Sequence, residues 1–146
     1  MSLRDLYQDM ILDHGKTPRN RGVLDAPTHT QVGHNPLCGD QLTLYVATHD
    51  DHVTDVKFEG KGCAISLASA SLLTEAIKGK TLAEIERLFQ AFHTFLTQNQ
   101  EPTIDIGKLA VFAGVAEFPM RVKCATLAWH TLHAALENAS QPVTTE

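Results

Sequence analysis

Cys38, Cys63 and Cys124 stand where loops hand over to regular elements, and Asp40 follows the first of them by two residues. Thiolate sulfur is a soft donor suited to zinc and to iron–sulfur chemistry. An acidic oxygen two residues after a cysteine can supply a fourth ligand. Cys38, Asp40, Cys63 and Cys124 therefore read as one metal or sulfur-handling site assembled from three distant segments. Cys63 precedes a predicted helix and Cys124 falls in the expected first turn of another, so the positive helix end favours thiolate at both. Gly60 and Gly62 allow positive backbone angles and a close approach to a neighbouring ligand, and Gly39 does the same between Cys38 and Asp40. Three thiolates, one carboxylate and a divalent ion complete a tetrahedral site of net charge about minus two. Lys61, Arg121 and Lys123 are the cations placed to offset it. Structural zinc sites use Cys and His and stay closed, so an Asp oxygen points to a position meant to open.

Other residues carry chemistry only on paper. A single cysteine is most often a small buried hydrophobe, but three at loop junctions weaken that reading. His49 and His52 flank two Asp residues and read as a solvated hairpin tip. His130 and His133 share a helix face without an evident third ligand. Ser66, Ser69 and Ser71 have no paired base in the sequence and read as close-packing residues.

The elements that must hold the cysteines follow from periodicity. Leu3, Leu6, Tyr7, Met10 and Ile11 recur at helical spacing, and this first helix ends near His14-Gly15. Residues 16–36 are rich in Pro, Gly, Asn and Thr and read as a long connection with a short strand near 28–32. Leu42, Leu44 and Val46, then Val56 and Phe58, alternate with polar residues, which predicts a β-hairpin with one buried face. Residues 65–77 predict a helix stopped by Gly79. Thr81 and Glu84 form a capping-box pattern opening a helix over 82–98. A short helix or turn is expected over 106–115, and a last helix over 121–138. The fold class is α+β: a small three-stranded antiparallel sheet with helices packed on one face. Residues 1–140 are expected to form a single domain and residues 141–146 a flexible C-terminal tail.

Composition narrows the function. The chain has 146 residues, 43% of them hydrophobic, which suits one globular domain. Its net charge of -5 argues against nucleic acid as a partner. No apolar run is long enough to span a bilayer, and no signal peptide is recognised, so no membrane partner is expected. Three cysteines without a secretion signal fit the reducing cytoplasm.

Four ordered blocks carry a resemblance that covers nearly the whole chain. They are Asp13-His14 with Pro18-Arg19-Asn20; Asn35-Pro36-Leu37-Cys38-Gly39-Asp40; Gly60-Lys61-Gly62-Cys63-Ala64-Ile65-Ser66; and Arg121-Val122-Lys123-Cys124-Ala125-Thr126-Leu127-Ala128-Trp129. The chain resembles the U-type (IscU/NifU N-terminal) iron–sulfur cluster assembly proteins, and within them the SufU-like branch. IscU-type chains have a histidine directly before the last cysteine, where this chain has Lys123. They also carry a Leu-Pro-Pro-Val-Lys segment, which residues 118–123 do not match, and a shorter interval between the second and third cysteines.

The resemblance implies a zinc site of Cys38, Asp40, Cys63 and Cys124, and a SufS-like cysteine desulfurase as partner, with downstream iron–sulfur assembly components after it. It implies a sulfurtransferase-type role in which Cys38 is the sulfur acceptor, assisted by Asp40 and Arg121. The alternative it implies is a scaffold on which iron and a transient 2Fe-2S cluster are held by Cys38, Cys63 and Cys124 and passed to apo-proteins.

Overall fold

The structure is a computed structural model that describes residues 2–145. Met1, the first residue of the expected domain, and Glu146, the last of the expected tail, lie outside the described residues. Helix α1 covers Leu3–Lys16, then come strands β1 (His29–Asn35), β2 (Asp40–His49) and β3 (His52–Lys61). Helices α2 (Ala64–Ile77) and α3 (Leu82–Thr97), a 3₁₀ helix (Gly107–Glu117), α4 (Pro119–Leu136) and β4 (Val143–Thr144) complete the chain.

Strand alternation sets up the site. Leu42, Leu44 and Val46 of β2 and Val53, Val56 and Phe58 of β3 are buried, and α2 and α4 cover that face. Asp40 opens β2 two residues before Leu42, so its carboxylate falls on the same covered face, 1% exposed. A strand that hides hydrophobes thereby hides an acid. The hairpin tip is as the sequence suggests: Asp50 and Asp51 adopt positive φ, the His49 ring lies 3.3 Å from the Asp50 carboxylate, and His52 Nδ1 lies 2.9 Å from the Asp50 carbonyl.

Helix α3 buries Ile85, Leu88, Phe89, Phe92 and Leu96 along one stripe, and the Thr81–Glu84 capping box is formed in both directions. Phe92 lies between Phe112 and Trp129, with ring centroids 5.8 and 5.3 Å away. Each such ring, once buried, contributes about 2–3 kcal/mol. This cluster ties α3 and the 3₁₀ helix to α4, whose second turn carries Cys124.

The sheet differs from the expected one. It has four strands in the order β3-β2-β1-β4, and β4 runs parallel to β1, so the sheet is mixed and not a three-stranded antiparallel one. The added strand comes from within the segment read as a tail. After α4 the chain turns at Asn138 with φ 57°, and Gln31 donates to the carbonyl of Ala139 at 3.0 Å. Val143 and Thr144 then lie along Gly33 and His34. The physical reason is the free outer edge of β1, whose unpaired backbone groups recruit a neighbour.

Candidate metal centre

Each proposed donor is delivered by a different device. Cys38 sits in the four-residue turn joining β1 to β2, bounded by the pair Asn35 and Asp40. The turn is held by Leu37 N–H on the Asn35 side-chain oxygen (3.2 Å) and Cys38 N–H on the Asn35 carbonyl (3.2 Å). Gly39 takes a φ of 71°, which lets the chain reverse there. Cys63 is the N-cap of α2, and its sulfur accepts the Ser66 N–H at 3.4 Å. Cys124 lies inside α4, which begins at Pro119, so it is not in the first turn as the sequence suggested. Proline at a helix start is favoured because its missing N–H has no intrahelical partner to lose, and this moves the boundary upstream.

These devices converge. Cys38, Asp40 and Cys124 each offer a donor atom, all within 4.8 Å of one another. The Cys124 sulfur is 3.5 Å from that of Cys38. Cys63 stands at the edge of the trio, its sulfur 3.9 Å from Asp40 Oδ2. The other Asp40 oxygen accepts the Cys63 N–H at 2.9 Å, so one carboxylate fixes the loop that carries a second donor. Gly62 makes this possible, because a Cβ there would come within 2.6 Å of Asp40 Oδ1. Gly60 supplies the positive φ, 146°.

The donors fit zinc. With Zn–S of about 2.3 Å and Zn–O of about 2.0–2.2 Å, tetrahedral ligands lie about 3.8 Å apart for two sulfurs and about 3.6 Å for a sulfur and an oxygen, and the observed sulfur–sulfur and sulfur–oxygen distances of 3.5 and 3.9 Å lie close to those values. Three thiols and a carboxylate gathered without a disulfide are the donor set soft divalent ions take.

The thiols are unequal. Cys38 is exposed, Cys63 half-buried and Cys124 buried. The Cys63 thiol is lowered to about 6, first because Cys124 donates a hydrogen bond to its sulfur. Burial opposes the shift, the Ser66 N–H helps it, the Asp40 charge opposes it and the Ile65 N–H helps it. Cys124, the donor in that bond, is raised for the same reason, and burial, Asp40 and Cys38 add to the rise. The two thiols are thus pushed in opposite directions, and the helix start favours thiolate at Cys63 alone.

Other sequence candidates land as follows. Arg121 stacks its guanidinium 4.4 Å from the centre of the Phe118 ring, and no ion pair joins it to Asp40 among the described residues. Lys61 ends β3 and Lys123 precedes Cys124 in α4. Ser71 does have a base: its hydroxyl is 2.7 Å from His14 Nδ1, and both residues are buried away from any substrate. His130 and His133 are not simple surface residues. They gather with His93 of α3 around Phe89, with His93 and His130 5.4 Å apart. Helical spacing within α4 could not show a partner on α3.

The description "NifU-like N terminal domain" matches residues 6–141. The zinc-dependent sulfurtransferase SufU of Bacillus subtilis is 42% identical over 132 residues, 90% of this chain and 89% of that one. The iron–sulfur cluster assembly scaffold protein IscU of Thermotoga maritima is 39% identical over 145 residues, covering 97% and 100% of the two chains. Among solved structures, a SUF-system assembly scaffold protein from Fervidobacterium islandicum superposes with a TM-score of 0.84 at 36% identity, over 92% of this chain and 99% of that one. With the four sequence blocks, this settles the family: the chain belongs to the NifU-like N-terminal domain family of U-type iron–sulfur assembly proteins, as a SufU-like member.

Proposed function

We propose that this protein is an iron–sulfur cluster assembly protein that works as a zinc-dependent sulfur acceptor for a SufS-like cysteine desulfurase. The observation that carries the reading is the convergence of the Cys38 and Cys124 thiols on the buried Asp40 carboxylate, with the Cys63 sulfur 3.9 Å from that carboxylate and Cys38 the exposed thiol. Cys38, Asp40, Cys63 and Cys124 would hold the ion. When bound, zinc keeps its thiol ligands deprotonated near neutral pH and screens their mutual repulsion.

The transfer itself is thiol–disulfide chemistry. The Cys38 thiolate attacks the terminal sulfur of the desulfurase persulfide. The sulfur–sulfur bond of the donor breaks, its electron pair leaves with the desulfurase cysteine as a thiolate, and a new sulfur–sulfur bond forms on Cys38. No net oxidation occurs and no further reagent is needed. Asp40 stays as a carboxylate that anchors the Cys63 N–H while Cys38 moves. Arg121, one turn before Cys124 on α4, is the cation available to Asp40 once that carboxylate turns outward. Leu37 beside Cys38, with Phe118 and Met120 at the start of α4, gives an exposed apolar rim suited to a protein donor. Unpaired thiols suit the reducing cytoplasm. Among the described residues no helix is long and apolar enough to cross a membrane.

The test is mass spectrometry of the protein after incubation with desulfurase and cysteine. The extra sulfur is expected on the Cys38 peptide, and its appearance only on Cys63 or Cys124 rejects the acceptor assignment. A second reading has its own support, because the same donors suit iron and because relatives at 38 and 39% identity are called scaffold proteins. Colourless protein with one zinc favours the acceptor, whereas brown protein with a 2Fe-2S cluster favours the scaffold.

A further inference from the structure

The Asp13-His14 and Pro18-Arg19-Asn20 blocks contribute no donor to the centre, yet they are tied to both ends of the loop that carries Cys63. We infer that residues 14–21 form a brace whose task is to hold Cys63 within reach of the other three donors, with Gly15 and Arg21 as its positioning residues. This inference rests on the metal-dependent reading above.

One side of the brace grips α2. His14 is 3% exposed, and its Nδ1 is hydrogen-bonded to Ser71 Oγ at 2.7 Å. The same hydroxyl accepts the Arg19 N–H at 2.8 Å, and Asn20 donates to Thr74 Oγ1 at 3.0 Å. The last turn of α1 and the segment after it are thereby tied to the second half of α2. A Cβ on Gly15 would lie 3.0 Å from both the Cα and the carbonyl oxygen of Ala64, the residue after Cys63. Backbone meets backbone there, with no flexible side chain between to yield.

The other side grips β3. Phe58 N–H donates to the Asn20 carbonyl at 3.2 Å, and Gly22 N–H donates to the Phe58 carbonyl at 2.8 Å. The Arg21 guanidinium donates to the Gly60 carbonyl at 2.7 Å. An Arg19–Asp13 ion pair of 2.7 Å closes the segment on itself. Only Lys61, Gly62 and Cys63 lie between the two gripped points, Gly60 and Ala64.

The consequence is specific to the centre. Apart from N–H groups of its own helix, the partners of Cys63 are Asp40 and Cys124, which are themselves donors. Those contacts belong to the donor set itself. The brace involves no donor, so, together with the pairing of Lys61 to Gln41, it holds Cys63 in place while donors engage or leave the ion. Groups that orient ligands from outside the donor set are worth about 10–100-fold in metal affinity.

Three variants test this: Arg21→Ala, which removes an exposed side chain; Gly15→Ala, which displaces Ala64 slightly; and Thr81→Ala, which removes the remote α3 cap as a stability control. Zinc affinity is measured by chelator competition, and ligand arrangement by the visible spectrum of the cobalt(II)-substituted protein. Arg21→Ala and Gly15→Ala are expected to weaken zinc binding by about tenfold or more and to change the cobalt bands. Thr81→Ala is expected to melt earlier with both readouts unchanged. If both brace variants match wild type in both readouts, or if Thr81→Ala weakens zinc equally, the brace is overturned while the centre stands. If the wild-type protein binds no zinc, the metal-dependent reading falls and the brace falls with it.

Discussion

The Cys38 turn and the Cys63–Cys124 pair offer the same ligand atom in opposite mechanical settings. Cys38 is exposed in a four-residue turn, and its sulfur meets only the Cys124 sulfur among the contacts seen for the described residues. Cys63 caps a helix, and Cys124 is set in α4 immediately before the buried run 125–129. Moving Cys38 bends a turn. Moving Cys124 drags a helix whose Leu127 and Trp129 are in the core. Identical chemistry thus divides into one sulfur free to react and two that hold, and the division is made by the elements, not by the donors.

The sharpest way to break that comparison is to remove the free sulfur. Cys38→Ser is expected to lose persulfide formation entirely and to stop stimulating the desulfurase, while its melting temperature stays near that of the metal-free wild type. Retained persulfide by mass spectrometry would put the acceptor on the holding side. Next in size is removal of the ion. Binding only to the folded state at free metal far above Kd stabilises by about 4 kcal/mol, which is on the order of 10 °C for a chain of this length. Differential scanning fluorimetry before and after verified chelation measures it, and an unchanged melting curve means the helix-borne thiols need no metal to stay together.

How much of this division was legible in the sequence depends on the range of each interaction. The hairpin, α2 and the capped α3 were legible because their signals are local: alternation over Leu42, Leu44 and Val46, and Thr81 answering Glu84 three residues later. The four candidate donors stood out in the sequence because their residue types are rare and their neighbours distinctive. The fourth strand was not, since two residues carry no readable period and Val143–Thr144 is ordered only by the open edge of β1. The His14–Ser71 bond spans 57 positions, so no pattern in either segment announces it. The fate of Cys124 was misread for a smaller reason: starting α4 at Pro119 and not at Arg121 moves the thiol out of the first turn.

Asp40 bridges the two settings, since it belongs to the strand that follows Cys38 and accepts the N–H of Cys63. Asp40→Ala removes a candidate ligand and leaves that N–H without its partner, a loss of about 1–3 kcal/mol where the group is buried. The variant is expected to retain bound metal or cluster, because the three sulfurs remain, while turnover with the desulfurase falls. Metal content by elemental analysis and persulfide transfer measured together check it. Full transfer activity would remove Asp40 from the mechanism and leave it a structural anchor of the Cys63 loop.

The smallest effect is the most specific to the holding pair, and it is read in the metal-free protein. The ordinary thiol value is 9.0, and in the fold Cys63 is lowered to about 6 while Cys124 is raised. Between about pH 6 and 9 the folded pair has therefore released one proton and the unfolded chain none. Stability rises with pH wherever the unfolded state binds more protons, so it climbs across that window. The Cys63 contribution is lost as pH falls through its folded value. Above about 9 the unfolded chain releases both protons while folded Cys124 keeps its own, and the sign reverses. The thiol contribution to stability is thus expected to peak near pH 9 in metal-free protein and to lose that shape in Cys124→Ala, where the lowering of Cys63 loses its first cause. Melting temperature recorded against pH for both proteins is the measurement. A metal-free wild type whose profile matches that of Cys124→Ala would mean that the two thiols do not share a proton, and the holding pair would then be two independent cysteines brought together only by metal.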